Sequence, residues 1–317
     1  MAVAFTFPGQ GSQAVGMGKD LADAFPEARG IYQEVDDALG ENLSKLIWEG
    51  PEETLTLTAN AQPALMAVSL AAIRALEARG FSLKDKVAYV AGHSLGEYSA
   101  LAAAGFVSVA DAARLLRIRG NAMQAAVPAG EGAMAAIIGL EQADVEAACA
   151  EAALGAGKAA ACQVANDNGG GQLVISGTRA AVELAARLCT EKGAKRALML
   201  QVSAPFHSAL MTPAAEIMRE ALASVARAAP VVPIVSNVTV TSTSDPDEIA
   251  RRLVEQVVAR VRWRETVEWF GANGVSTLYE IGAGKVLSGL ARRINRDIAT
   301  ASVGSAAEVE AALAALA

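Results

Sequence analysis

Residues 87–104 read VAYVAGHSLGEYSALAAA. A short apolar run, Val87 to Ala91, passes directly into Gly92-His93-Ser94-Leu95-Gly96, and an alanine-rich helical stretch follows to about Ala104. Strand, glycine-bounded turn and helix in that order make a G-x-S-x-G nucleophile elbow. Glycines suit the turn because the backbone reverses there in a small space. The turn lifts the Ser94 hydroxyl clear of the sheet. It also aims the Leu95 N–H, at the start of a helix, towards a developing oxyanion. A turn that only caps the helix would have the same composition, but the flanking strand and helix favour the functional reading.

A serine hydroxyl is a weak nucleophile and needs a base, most often histidine. The chain has two histidines. His93 adjoins Ser94 inside the elbow, where its side chain points differently. His207 is then the available imidazole, in the turn Ala204-Pro205-Phe206-His207-Ser208 after a predicted strand. The first strand, Val3 to Phe7, ends in Pro8-Gly9-Gln10-Gly11-Ser12. Phe7 to Ala14 also fits the loose dinucleotide fingerprint G-x-G-x-x-A. Glu34, the acidic residue near the required distance, lies in a helical stretch, which weakens a dinucleotide-binding reading. The loop better suits a second oxyanion donor, the Gln10 N–H.

Working outward, Pro63 reads as the first residue of a helix that stops near Gly80. Ser108 and Asp111 start a helix carrying Arg119. Then comes a regular alternation: strand Ala133–Leu140, helix Asp144–Leu154, strand Ala160–Asn166, a Gly169-Gly170-Gly171 turn, strand Gln172–Ser176, helix Ala180–Lys192 and strand Lys195–Val202. That is the βαββαβ order of a ferredoxin-like unit. Long helices resume at Pro205, and Val231–Val235 and Ser276–Ile281 read as strands of the larger unit. The fold class is therefore α/β. Residues 1–129 and 203–317 form a large unit with a parallel sheet, and residues 130–202 form a small inserted unit.

The 317 residues have room for one large domain or two unequal ones. Hydrophobic residues at 53% and charged residues at 19% exclude a disordered chain. Aromatics are only 4%, so the core must rely on Leu, Val, Ile and close, alanine-lined helix packing. Basic residues number 27 against 34 acidic, net −7, which argues against a nucleic-acid partner. No run reaches the ~18 apolar residues of a membrane helix, and the N-terminal stretch lacks the basic region of a signal peptide. Cys149, Cys162 and Cys189 fit neither a metal motif nor a disulfide framework. The expectation is a cytoplasmic protein with no metal and no membrane partner.

With these residues in hand, the chain resembles the malonyl-CoA:acyl carrier protein transacylase family of bacterial type II fatty acid synthesis, nearly end to end. The resemblance is carried by Phe7-Pro8-Gly9-Gln10-Gly11-Ser12-Gln13, by Gln62-Pro63-Ala64-Leu65 and by Gly92-His93-Ser94-Leu95-Gly96-Glu97-Tyr98. Arg119-Gly120 with Met123-Gln124, and Tyr279-Glu280-Ile281-Gly282 with Gly284-Lys285-Val286-Leu287, complete it. It implies a large α/β-hydrolase-like subdomain with a small ferredoxin-like one, and an active site between them. It implies that Ser94 takes the acyl group, His207 is the base, and the Leu95 and Gln10 N–H groups form the oxyanion hole. Arg119 would bind the malonyl carboxylate, Gln62 and Phe206 would contact substrate, and the Gln256 backbone carbonyl would orient His207. Phe206 departs from the serine that many free-standing relatives carry. Malonyl-CoA and acyl carrier protein are the implied partners, the CoA thioester is substrate rather than cofactor, and a monomer is expected.

Three points stay open at this level. A serine hydrolase or thioesterase of α/β-hydrolase type is the alternative, with Asp167 as its formal acidic member. By sequence alone Arg119 reads as a helix-surface salt bridge, and the resemblance reverses that. The basic residues Lys285, Arg292 and Arg296 share one face of a predicted helix beside Arg293, and Lys192, Lys195 and Arg196 form a second group. Either is a docking patch for an acidic carrier or merely a solvated face.

Overall fold

The computed structural model describes residues 2–157 and 160–316. Positions 1 and 317, the outer limits of the large unit expected above, lie outside them. In chain order the strands are β1 (Ala2–Phe7), β2 (Tyr89–Gly92), β3 (Gly132–Ile138), β4 (Cys162–Asp167) and β5 (Gln172–Thr178). There follow β6 (Arg196–Met199), β7 (Ile234–Val235), β8 (Ser242–Thr243), β9 (Val275–Ile281) and β10 (Ala299–Val303).

The first sheet has the order β10-β9-β1-β2-β7-β8. Its neighbours are parallel except for the β7–β8 pair. Strands β1 and β2 lie at its centre, and Phe5, Phe7, Val90 and Ala91 are buried, as helices covering both faces of a parallel sheet require. Parallel strands end at a common edge. Phe7 is in register with Gly92, and the His93 N–H donates to the Phe7 carbonyl at 3.0 Å. The loop carrying Gln10 and the turn carrying Ser94 therefore sit side by side.

The second sheet has the order β4-β5-β3-β6 and is antiparallel throughout. Its residues alternate by the two-residue period of a strand. Ala135, Ile137, Val164 and Ile175 pack against Val145, Ala148, Val182 and Ala185 of the helices Gln142–Gly155 and Arg179–Glu191. Met134 and Val174 face the other way, into the cavity described below. Strand β4 is bridged to the segment around Val261, which lies outside the named strands. The Asp167 N–H donates to the Val261 carbonyl and the Val261 N–H to the Ala165 carbonyl, both at 2.9 Å.

Alanine does the close packing. In the helix Thr58–Glu77, Ala61, Ala64, Ala67, Ala71, Ala72 and Ala75 are fully buried. The helix Val109–Ala125 crosses it so closely that a Cβ on Gly120 would lie 2.6 Å from the Ala59 Cα. That crossing corrects one expectation: Pro63 lies inside the helix rather than at its start. Packing of the preceding turn against the Gly120 region outweighs the single backbone hydrogen bond that proline removes.

Other boundaries shift for local reasons. The strand expected over Val231–Val235 shrinks to β7, because Pro233 withholds an N–H from the ladder. The one expected over Lys195–Val202 shrinks to β6, and β8 and β10 appear without a sequence signal. The expected basic helix face does not form, since the helix is only Val286–Ile294. Glu280 fixes its start by accepting from the Leu287 and Ser288 N–H groups at 3.0 and 2.8 Å. Lys285 is left outside it, 2.8 Å from Glu308, and Arg296 follows its end. Among the described residues no helix is long and apolar enough to cross a membrane.

Candidate active site

The elbow is set by its glycines and held by an asparagine. A Cβ on Gly92 would lie 1.8 Å from the Gly96 carbonyl carbon, and one on Gly96 would lie 2.2 Å from the Phe7 oxygen. Ser94 itself has φ of 54°, a left-handed conformation that costs a non-glycine residue energy and needs support. Asn237, fully buried, supplies that support. Its Oδ1 accepts from the Ser94 N–H at 2.8 Å, and its Nδ2 donates to the Gly92 carbonyl at 2.7 Å.

His207 faces Ser94 from the turn after β6, also at positive φ, 55°. Its Nε2 lies 2.7 Å from Ser94 Oγ, and its Nδ1 lies 2.9 Å from the Gln256 backbone oxygen. A carbonyl only accepts, so Nδ1 carries the proton and Nε2 is free to receive one. Burial, reinforced by the Arg119 cation, lowers the His207 pKa to about 3. The imidazole is therefore neutral and able to act as a base. Gln163 of β4 braces the turn by donating to the His207 carbonyl at 3.2 Å. His93 turns away, as expected: its Nε2 lies 2.9 Å from Asn168 Oδ1 and its ring packs edge-on against Trp263.

Arg119 is 1% exposed, which rules out the surface ion pair. Its Nη1 donates to Gln62 Oε1 at 2.8 Å. Its Nη2 donates to Gln256 Oε1 at 2.8 Å and to Ser94 Oγ at 3.2 Å. The guanidinium also lies 5.6 Å from the Tyr98 ring centre. All these acceptors are neutral. A buried cation held by neutral oxygens lacks the contact that would best compensate its desolvation, an anion. The hydrogen-bonded chain continues from Gln62 Nε2 to Thr58 Oγ1 and from Thr58 Oγ1 to Gln10 Oε1, so the first loop and the arginine are linked.

A cavity of about 550 Å³ opens onto these groups. Gln10, Gln62, Ser94, Leu95, Arg119, Phe206 and His207 all line it, and Gln256 stands behind them, fully buried. Met134, Asn166 and Val174 of the second sheet form the facing wall. Among the described residues, the backbone N–H groups of Gln10 and Leu95 have no protein acceptor. Asp167 is elsewhere: it pairs with Arg264 at 2.8 Å and accepts from the Gly169 N–H. A backbone carbonyl, not a carboxylate, stands behind the histidine.

The sequence reading missed three participants. Asn237 sits in an unremarkable loop after β7, with no local signal. The Gln256 side chain matters as well as its carbonyl. Glu97 is 3% exposed, accepts from the Asn237 N–H at 2.8 Å and from Gln256 Nε2, and burial raises its pKa to about 7. Its place three residues after Ser94 was the one visible hint.

Known proteins match this arrangement along the whole chain. The acyl transferase domain family matches residues 4–309. A malonyl CoA-acyl carrier protein transacylase of Bacillus subtilis is 47% identical over 311 residues, covering 98% of this chain and 96% of the relative. The crystal structure of acyl-carrier-protein-S-malonyltransferase from Bartonella henselae superposes with a TM-score of 0.97 at 62% identity, covering 100% of this chain and 99% of that one. A malonyl-transacylase solved in complex with its type II PKS acyl-carrier protein superposes with a TM-score of 0.95 at 44% identity, covering 99% and 100%. With the serine elbow, its histidine and the buried arginine in place, the chain belongs to the acyl transferase family, among the malonyl CoA-acyl carrier protein transacylases.

Proposed function

We infer that this protein moves a malonyl group from malonyl-CoA to the phosphopantetheine thiol of an acyl carrier protein, by way of a malonyl ester on Ser94. One observation carries the reading. Ser94 Oγ stands 2.7 Å from a neutral imidazole and 3.2 Å from a buried guanidinium that makes no ion pair among the described residues. Imidazole and serine suffice for acyl transfer, and the guanidinium selects an acyl group that ends in a carboxylate.

The geometry supports the following steps. Ser94 Oγ attacks the thioester carbonyl as His207 Nε2 takes its proton. The tetrahedral oxyanion is held by the Gln10 and Leu95 N–H groups, each such donor being worth about 10²–10³ in rate. The oxyanion collapses, the C–S bond breaks, and the proton on Nε2 passes to the departing CoA sulfur. The carrier's thiol then gives its proton to His207 and attacks the ester, and Ser94 is regenerated. The Gln256 carbonyl holds the Nδ1 proton throughout and so keeps the productive tautomer. Arg119 binds the malonyl carboxylate through paired hydrogen bonds, with Gln62 holding the guanidinium in plane and Phe206 closing the cavity beside it. Acetyl-CoA would bury the same cation without a partner.

The architecture fits a division into a hydrolase-like α/β subdomain, residues 1–129 and 203–317, and a ferredoxin-like one, residues 130–202, with the reaction between them. We place the enzyme in fatty acid synthesis, in the cytoplasm, as a monomer, with no metal or separate cofactor. The test is to incubate it with malonyl-CoA and holo-acyl carrier protein and weigh the carrier. A malonyl group on the carrier's thiol is expected. Free malonate beside an unmodified carrier would mean a hydrolase instead.

A further inference from the structure

Glu97 takes no part in those steps, yet both its oxygens are engaged by residues that hold the reacting groups. Oε1 accepts from the Asn237 backbone N–H, and Oε2 accepts from Gln256 Nε2. Asn237 is the residue whose side chain clamps Ser94 N–H and the Gly92 carbonyl. Gln256 holds the other two groups. Its backbone oxygen faces His207 Nδ1, and its side-chain oxygen accepts from Arg119 Nη2. Its Nε2 also donates to the Ser94 carbonyl at 2.9 Å. One buried carboxylate therefore stands behind Ser94, His207 and Arg119 at a single remove.

The Gln256 amide fits in only one orientation. Its NH₂ end faces three acceptors: Glu97 Oε2, the Ser94 carbonyl and, at 3.5 Å, Asn237 Oδ1. Its oxygen faces a guanidinium. Turned over, the amide would set an NH₂ group against Arg119 and an oxygen against a carboxylate, losing every one of these bonds. The amide also keeps the two charges apart. A carboxylate in direct contact with Arg119 would occupy the sites meant for substrate. An amide between them transmits the polarity and leaves the guanidinium free.

We propose that Glu97 is a positioning residue, whose carboxylate fixes the Gln256 amide so that Arg119 is presented to the substrate carboxylate, and whose bond to Asn237 secures the Ser94 elbow. This rests on the malonyl reading above and extends it to a residue that touches neither substrate nor reacting atoms.

The test compares loading of malonyl-CoA and acetyl-CoA in Glu97→Gln. The variant still offers Asn237 an oxygen but turns an NH₂ towards Gln256, so the Gln256 amide reverses against Arg119. The malonyl-over-acetyl ratio of kcat/KM should narrow by about tenfold, mostly through a raised KM for malonyl-CoA, as loss of a charged hydrogen bond implies. Glu97→Asp, which keeps both oxygens, should restore most of the ratio. If Glu97→Gln does not fold, Gln256→Met decides. It keeps the carbonyl behind His207, drops the amide, and should narrow the ratio similarly. Loss of malonyl and acetyl loading in equal proportion, or an unchanged ratio, would overturn the proposal. Wild-type enzyme that never forms a malonyl-Ser94 ester would instead overturn the functional reading on which it rests.

Discussion

The two sheets contribute unequally to one cavity. Loops at the edge of the parallel sheet supply Gln10, Ser94, Leu95 and Asn237, helices packed on it supply Arg119 and Gln256, and the turn after β6 sets His207 against them. The antiparallel sheet supplies a wall, Met134, Asn166 and Val174, and the brace from Gln163 to the His207 turn. The physical reason lies in the strands. Parallel strands end together, so their loops converge on one point where backbone N–H groups and helix starts can face a developing charge. An antiparallel sheet offers a continuous face of alternate side chains, suited to shape but not to convergence. Chemistry should therefore be sensitive on one side of the cavity, and acyl selection adjustable on the other.

The largest expected effect tests the first half of that division. His207→Ala removes the proposed base and should lower kcat/KM for malonyl transfer by about 10⁶-fold, by analogy with other imidazole-assisted serine enzymes. A loss under tenfold in steady-state assays would mean that another group takes the Ser94 proton. Next, Arg119→Ala should cost malonyl-CoA about 10²-fold while affecting acetyl-CoA less. Lysine there should rescue poorly, because a point charge cannot make two parallel bonds. Equal losses on both thioesters would remove Arg119 from selection.

The second half is tested on the wall. Met134 is 4% exposed and faces the cavity from β3. Met134→Ala should leave malonyl loading within about tenfold of wild type while improving relative loading of a bulkier acyl-CoA, since even one methylene in an apolar pocket changes discrimination by about 10–200-fold. A loss as deep as that of His207→Ala would show that the wall takes part in the chemistry and would break the comparison.

The smallest effect is a displacement along the pH axis. Burial and the Arg119 cation hold the folded His207 pKa at about 3, below its ordinary 6.5. Between those values the unfolded chain binds the proton and the folded one does not. The stability contributed is thus complete above about pH 6.5 and declines as pH falls through that window. The acid limb of kcat/KM, measured with malonyl-CoA, should likewise fall below the ordinary histidine range. A limb centred at 6.5 or above would mean an imidazole far more solvated than this site allows.

Much of this was legible in the sequence, and unevenly so. The Ser94 elbow could be read because its chemistry depends on contiguous residues, Gly92 and Gly96 among them, whose smallness has a local cause. His207 followed from scarcity. The βαββαβ order was visible in alternating periodicity, with its last strand ending at Met199 rather than Val202, while in the larger unit Pro233 and the Glu280 cap moved other ends. Asn237 and the Gln256 side chain were invisible for the opposite reason, and Glu97 showed only as a neighbour of the elbow. Their roles come from distant parts of the chain meeting in a buried network, and hydrogen-bond complementarity leaves no pattern in a linear sequence. Arg119 stood between these cases, since helical spacing could not say whether its face was inside or out. Close packing of Gly120 on Ala59 settled that.

The most direct test of the central claim, that a malonyl group is held on Ser94, is the intact mass of the protein after brief exposure to malonyl-CoA without carrier. The mechanism predicts one malonyl adduct on the wild-type chain, mapped to the peptide bearing Ser94, and none on Ser94→Ala. An adduct that persists in Ser94→Ala, or carrier malonylation by that variant at the wild-type rate, would contradict it.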